Sequence, residues 1–173
     1  MLVCKGCFKV GLYWQGLTHD LSKYSPSEFM VGVRYYQGNR SPNNAEREDK
    51  GFSEAWLHHK GRNKHHYEYW FDYSSREGIG LIPVPMPNRY IVEMVMDRIA
   101  ACKVYQKGNY KDSSPLEYLE SGKTPEIMHE TTWKKLHFLL RMLSEKGEEK
   151  TFHYIKHVFL KRGKGGRKNV RAS

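Results

Sequence analysis

Apolar residues recur at helical spacing through most of the chain. The stretches 2–14, 90–101 and 133–143 place apolar side chains three and four positions apart, as on one face of an α-helix. Segments in which apolar and polar residues alternate, the pattern typical of half-buried strands, are nearly absent. The pattern predicts an all-α fold with seven or eight helices.

Local signals set the expected ends of these helices. Serine is a good N-cap and proline fits the first helical position, so Ser25-Pro26 predicts a helix start, with Glu28 at capping-box spacing and an end near Gln37. Gly16 is expected to end the first helix. Glycines and prolines from Ser74 to Pro87 predict a loop that serves as a flap or a connector. The remaining predicted starts are Ser41-Pro42, Asn88, Ser114-Pro115, Thr124-Pro125 and Glu148.

The chain of 173 residues fits a single domain. We expect residues 1–160 to form an irregular helical bundle and residues 161–173, which are rich in glycine, lysine and arginine, to form a basic disordered tail. That tail holds six of the net ten positive charges. Neither a membrane-spanning run nor a signal-peptide pattern is found, and the three cysteines do not suggest a disulfide framework, so a cytoplasmic protein without membrane contact is expected.

The chemistry is concentrated in histidines. His19 precedes Asp20, and His58, His59, His65 and His66 lie close together in the chain. Neutral imidazoles and carboxylates are common metal ligands, so the two clusters predict a metal or catalytic site. If the helix continues through Gly61, the four downstream histidines divide between two adjoining faces and cannot all reach one metal. His65 and His66 are then expected to support a ligand or to bind phosphate.

The string His19-Asp20-Leu21-Ser22-Lys23 resembles the HDxxK signature of the HD-domain metal-dependent phosphohydrolase superfamily. The resemblance implies an all-helical, HD-domain-like fold with one or two divalent ions, which would be Mn, Fe, Mg or Zn. It also implies a set of metal ligands: His19, Asp20, His58, His59 and Asp97. The segments HDLSKYSPSEF and WLHHKGRNKHHYEYW further resemble an uncharacterised bacterial family.

HD enzymes use an additional histidine before the HD pair, and no histidine precedes His19 in this sequence. If the site is complete, the resemblance therefore implies that His65 or Glu93 substitutes for it. Glu93 lies four residues before Asp97, on the same predicted helix face. It is expected either to orient a ligating histidine or to form a salt bridge within the helix.

The implied chemistry is hydrolysis of a phosphomonoester or phosphodiester on a phosphorylated small molecule or nucleotide. Asp20 would bridge two ions, and a divalent ion lowers the pKa of a bound water from about 15.7 toward 7. Lys23 is expected to contact a phosphoryl oxygen. Three residues are expected to neutralise charge on the phosphate: Arg62, Asn63 and Lys64.

Two other functions are open at this stage. The order His59, Asn63, His66 in a basic segment suggests an HNH-like nuclease, although that motif requires a hairpin before its helix. The basic tail and the aromatic-basic segment 62–70 suggest instead a non-enzymatic protein that binds nucleic acid by charge and stacking.

Overall fold

The computed structural model of the protein describes residues 1–38, 40–122 and 127–162. Over these ranges the chain is mostly helical, which confirms the predicted all-α fold. The helices in chain order are α1 (Leu2–Lys9), α2 (Tyr13–Thr18), α3 (Pro26–Tyr35), α4 (Pro42–Lys50), α5 (Glu54–Lys60), α6 (Asn88–Gln106), α7 (Ser114–Glu120), α8 (Glu130–Tyr154) and α9 (Leu160–Arg162). The predicted start at Thr124-Pro125 and the tail from residue 163 lie outside the described residues.

The N-terminal helix ends earlier than the sequence predicted. α1 stops after Lys9, and Gly11 adopts a backbone φ of 84°, a left-handed conformation that glycine adopts without strain. Gly16 does not end a helix but lies buried inside α2. A Cβ at Gly16 would stand 3.0 Å from atoms of both Cys7 and Phe8, so glycine allows α2 to pack closely against α1.

α3 begins at the predicted proline, but the capping box is not formed. Ser25 makes no side-chain cap hydrogen bond, and the Glu28 carboxylate is directed to two histidines of α5 instead. α5 does have a serine cap, because the Ser53 hydroxyl accepts a hydrogen bond from the Trp56 amide. The prediction for Glu28 was wrong because a tertiary contact takes its carboxylate away from the helix end.

A small antiparallel hairpin was not predicted. It consists of β1 (Phe71–Tyr73) and β2 (Leu81–Pro83), with Asp72 opposite Ile82. β2 lies inside the stretch that was predicted to be a loop. Within the described ranges this is the one hairpin, and it follows the histidine-rich segment rather than preceding it. That order does not match the HNH-like arrangement considered from the sequence.

The core lies between α6 and α8. α6 buries Val92, Val95 and Ile99, and α8 buries a row of leucines that includes Leu136 and Leu140. α8 contains a break, because Gly147 has a φ of 78° that does not fit an α-helix. The break coincides with the predicted start of a separate last helix at Glu148. None of the described helices is both long and apolar enough to cross a membrane.

The packing of the helices brings the chemical residues together. α1 packs on α2 and α6, α3 packs on α4 and α5, and α6 and α7 pack on α8. The segment 19–24 includes a short 3₁₀-helix at Leu21–Tyr24. It connects the group formed by α1, α2, α6, α7 and α8 to the group formed by α3, α4 and α5. It therefore runs between α5 and α6, where the candidate site lies.

The leucines of α8 should dominate the stability of the fold. Leu140 is fully buried, and we expect Leu140→Ala to lower the free energy of unfolding by about 2–5 kcal/mol through lost burial and a residual cavity. Leu17, which is 60% exposed, is the matched control, and Leu17→Ala should change the free energy of unfolding by less than about 0.5 kcal/mol. Urea unfolding followed by circular dichroism measures both, and equal effects would contradict this placement of the core.

Candidate metal centre

Six side chains from three separate parts of the chain meet around one carboxylate. Two sets of possible ligand atoms share Asp20, and within each set the atoms lie within 4.8 Å of one another. One set is His19, Asp20 and Asp97, and the other is Asp20, His59, His65 and His66. We refer to these six residues as the Asp20 cluster.

Asp20 owes its central position to an unusual backbone. Its φ of 57° places it in the left-handed region between α2 and the 3₁₀-helix, and aspartate is one of the few non-glycine residues that tolerate this conformation. Its backbone carbonyl accepts a hydrogen bond from the Lys23 amide. The sharp turn directs the largely buried carboxylate inward, between α5 and α6.

The distances around Asp20 would suit atoms that share an ion. Asp20 Oδ2 lies 3.3 Å from His19 Nε2. Asp20 Oδ1 lies 3.3 Å from His59 Nε2 and 3.4 Å from His65 Nε2. Two ligands about 2.0–2.2 Å from one ion stand roughly 2.8–3.6 Å apart for bond angles between a right angle and the tetrahedral angle. All three separations fall within that interval.

The remaining members of the Asp20 cluster show the same spacing. His19 Nε2 lies 3.5 Å from Asp97 Oδ1, and His59 Nε2 lies 2.9 Å from His66 Nε2. Asp97 is more exposed than the other carboxylates, with 30% of its side chain accessible. Solvent therefore reaches the cluster at Asp97.

Glu93 orients two of the histidines. Its Oε1 lies 3.1 Å from His19 Nδ1 and 3.3 Å from His65 Nδ1. A carboxylate at Nδ1 favours the tautomer in which Nδ1 carries the proton, which leaves the Nε2 lone pair free for a metal. Glu93 faces the Nδ1 atoms, whereas Asp20 faces the Nε2 atoms. Of the two roles considered for Glu93, the geometry favours orientation of the histidines over a salt bridge within α6.

Glu28 has the same relation to His59, and sequence reasoning missed it. Glu28 Oε2 lies 2.8 Å from His59 Nδ1, and Glu28 Oε1 lies 2.7 Å from His58 Nδ1. The Asn63 side-chain amide donates hydrogen bonds to the His59 carbonyl and to the Ser22 hydroxyl. The one sequence signal for Glu28 was its capping-box spacing, which pointed to the helix end instead.

Three buried atoms of the Asp20 cluster lack hydrogen-bond partners: His19 Nε2, Asp20 Oδ1 and His65 Nε2. More than about 90% of buried polar groups in proteins are hydrogen-bonded, and leaving one unsatisfied costs about 1–3 kcal/mol. The three atoms face one another rather than scattering through the core. This arrangement is the one expected of groups that bind a common ion.

The buried carboxylates of the site favour positive charge on the groups next to them. Burial alone would lower the pKa of His19, but three neighbouring carboxylates, led by Asp20, raise that pKa to about 11. Burial alone would raise the pKa of Asp20, yet its close contacts with His19 and His59, together with the nearby Lys23 charge, hold that pKa well below its usual value. The site therefore favours a cation beside Asp20 at neutral pH.

His66 has the opposite character. Burial, together with the nearby His65 and His59 rings, lowers the pKa of His66 to about 2. A neutral imidazole retains a lone pair on one ring nitrogen, which is the form that binds metal. His66 is thus suited to act as a ligand, not only as the supporting residue expected from the sequence.

The chain departs from a helix after Lys60, and this departure brings the histidines together. α5 ends there, Gly61 follows as the helix cap, and residues 61–66 form turns. The division of the four histidines between two helix faces assumed that the helix continues through Gly61. Because the helix ends at Lys60, that division does not apply. His59, His65 and His66 instead converge on Asp20.

His58 is not part of the Asp20 cluster, contrary to its predicted role as a ligand. It lies on α5 next to His59, but its Nδ1 contacts Glu28, and it belongs to neither of the two sets around Asp20. Consecutive residues on a helix point about 100° apart, so only one of the two histidines can face Asp20. His59 is the one that does.

The predicted phosphate-binding residues also need correction. Asn63 is buried, and its amide group already donates to His59 and Ser22. Arg62 is exposed with its guanidinium near the His58 carbonyl, and exposed Lys64 lies over the Tyr69 ring. Neither cation contacts the Asp20 cluster.

Lys23 does lie at the cluster, as predicted. Its Nζ is 2.5 Å from Asp20 Oδ2, while 61% of the side chain is exposed. The ammonium group therefore stands between Asp20 and solvent, where an approaching anion would meet it. The predicted contact with a phosphoryl oxygen stays a prediction.

The chain was compared with known proteins in three ways. Neither the search of curated proteins nor the search of solved structures found a match. A family model described as "Family of unknown function (DUF5662)" matches residues 1–142, a range that includes every member of the Asp20 cluster. The chain therefore belongs to the DUF5662 family.

Proposed function

We propose that this protein is a metal-dependent phosphohydrolase that binds one or two divalent ions on the Asp20 cluster. The observation that carries the proposal is the set of three buried, unsatisfied ligand atoms on His19, Asp20 and His65. They lie at ligand spacing, and carboxylates on the far side of the rings hold the histidines in orientation.

The donor atoms suggest how two ions would be shared. His19, Asp20 and Asp97 would hold one ion, while His59, His65 and His66 would hold the other together with Asp20. Asp20 would contribute to both sets, because its two oxygens face different histidines. A set with three imidazoles suits Zn, Fe or Mn better than Mg, which prefers oxygen ligands and retains several waters. Among the four metals that the sequence suggested, magnesium is thus the least suited.

The reaction class follows from what surrounds the donors. A divalent ion lowers the pKa of a bound water toward about 7 and so supplies a nucleophile at neutral pH. The Lys23 ammonium at the exposed edge of the cluster can attract an anionic substrate and stabilise charge that develops on it. These features, together with the resemblance of 19–23 to the HDxxK signature, favour hydrolysis of a phosphomonoester or phosphodiester. The expected substrate is a phosphorylated small molecule or a nucleotide.

Replacement of Asp20 tests whether the cluster binds metal. Asn also tolerates a left-handed backbone, so Asp20→Asn keeps the shape of the turn and removes only the charge. We expect protein purified without chelators to contain Zn, Fe or Mn, and the bound metal to fall at least about tenfold in the variant. Elemental analysis by mass spectrometry measures this, with thermal unfolding as the check on folding. Equal metal content in a folded variant would remove Asp20 from the ligand set.

His58 and His59 form a matched pair for a second test. Both are on α5 and both contact Glu28, but only His59 faces Asp20. We expect His59→Gln to reduce bound metal strongly and His58→Gln to leave it within about twofold of wild type. Competition with a chromophoric chelator measures both affinities. Similar losses in the two variants would refute the orientation described above.

Activity should depend on the bound metal. We expect wild-type protein to hydrolyse at least one member of a panel of phosphomonoesters, phosphodiesters and nucleotides with Mn²⁺ present. EDTA should abolish the activity and added Mn²⁺ should restore it, while folded Asp20→Asn should show a loss of at least about 100-fold. Release of phosphate or nucleoside product measures the rates. Hydrolysis that persists in EDTA-treated protein or in Asp20→Asn would overturn the proposal.

A further inference from the structure

Two further histidines form a pair outside the Asp20 cluster. His153 lies in the last turn of α8, and His157 lies in the π-helical turn Ile155–Phe159 that continues α8. Both side chains are exposed, and both line a surface groove together with Lys9 of α1 and Glu149 of α8. None of the six residues of the Asp20 cluster lines that groove. The pair is therefore separate from that cluster.

The local backbone brings the two imidazole rings into contact. Residues four apart on an α-helix are offset by about 40° around the axis, because each residue turns the chain by about 100°. A π-helical turn holds more residues than an α-helical turn, so the passage into Ile155–Phe159 reduces this offset. The ring centroids of His153 and His157 are 4.5 Å apart, and the ring planes are tilted by 34°. Two histidines four apart on one helix face are also the arrangement that binds zinc in the helices of metalloproteases.

Both rings are available to a ligand. In the part of the chain that the structure describes, neither His153 nor His157 makes a side-chain hydrogen bond or an ion pair, unlike His137 of the same helix. Partial desolvation and the nearby His153 lower the pKa of His157, and two neighbouring lysines act in the same direction. A neutral imidazole keeps the lone pair that binds a metal.

Glu149 supplies a carboxylate on the same side of the helix. It precedes His153 by four residues, a spacing at which side chains are neighbours on a helix surface, and it lines the same groove. Over the described ranges Glu149 forms no ion pair, whereas the preceding Glu148 contacts Lys103. Two histidines and one glutamate are a donor set found in zinc enzymes, where a fourth position stays open for water.

The donor atoms, and not the net charge of the groove, indicate the kind of ion. The positive charges of Lys9 and Lys156 in the groove are balanced by the negative charges of Glu148 and Glu149. Imidazole nitrogens suit zinc, copper and nickel, whereas magnesium and calcium prefer oxygen ligands.

We infer that His153, His157 and Glu149 form a second metal site, which binds one ion of the imidazole-preferring class, such as Zn²⁺, at the protein surface. This inference does not rest on the proposed function, because the groove shares no residue with the Asp20 cluster. The exposed rings turn toward the common ion, and water completes its coordination.

Zinc binding to Asp20→Asn tests the surface site while the Asp20 cluster is weakened. We expect this variant, freed of metal with EDTA, to bind Zn²⁺ in a calorimetric titration. His153→Gln or His157→Gln in the same background should raise the dissociation constant at least about tenfold, because chelation requires both imidazoles. His137→Gln is the control and should change it less than about twofold, since that histidine contacts Glu120 and not another imidazole. Glu149→Gln should have an intermediate effect.

Two results would overturn the inference: Asp20→Asn protein that binds no zinc, or equal zinc affinity in the His153, His157 and His137 variants. Either result would leave the proposal for the Asp20 cluster intact, because the metal content of Asp20→Asn against wild type tests that proposal. If Asp20→Asn does not fold, the three histidine variants are compared in the wild-type background. There the number of zinc ions bound per chain should fall by one in His153→Gln and His157→Gln and stay unchanged in His137→Gln.

Discussion

The organisation of the site depends on one buried carboxylate, that of Asp20. An ionised carboxylate inside a protein is costly unless it is paired, and here the groups facing it are three imidazole nitrogens from two parts of the chain. Those nitrogens can satisfy Asp20 either by carrying protons or by sharing a metal ion with it. The first choice would place several positive rings in contact, and the neighbouring His65 and His59 rings, after burial, are among the causes that lower the pKa of His66. The proposed shared cation would meet the needs of both ligand types.

Two further carboxylates, those of Glu93 and Glu28, connect the site to the helices around it. Glu93 contacts two histidines from different segments, and Glu28 contacts the two neighbouring histidines of α5. Each carboxylate therefore links two parts of the chain as well as orienting a ring. The same contacts join α3 to α5, and α6 to the segments that hold His19 and His65. Helix packing and ring orientation are in this way set by the same hydrogen bonds.

The sequence predicted what depends on local patterns. Helical periodicity gave the all-α class, and proline placed the starts of α3, α4 and α7. The spatial meeting of His19, Asp20, His59 and Asp97 was expected from the resemblance. Local patterns failed where tertiary contacts decide: Gly16 packs against α1 instead of ending a helix, and Glu28 leaves its capping position. The resemblance allowed His65 as a substitute ligand, but the joint convergence of His65 and His66 on Asp20 was not predicted, because it depends on turns after Gly61 that helical spacing does not describe.

Several departures from local rules lie close together in the fold. A left-handed aspartate, three unsatisfied buried ligand atoms and a helix that ends inside a histidine-rich run lie at the Asp20 cluster, and an unmade capping box lies beside it. Each has an energetic cost in an otherwise regular helical core, where leucines and isoleucines fill the space between α6 and α8. Such costs are expected where residues are arranged for binding rather than for packing, which supports the proposal that the Asp20 cluster is the functional site. In the proposed metal-bound protein, cation binding would offset those costs, because the ion's affinity for the folded arrangement would add to its stability.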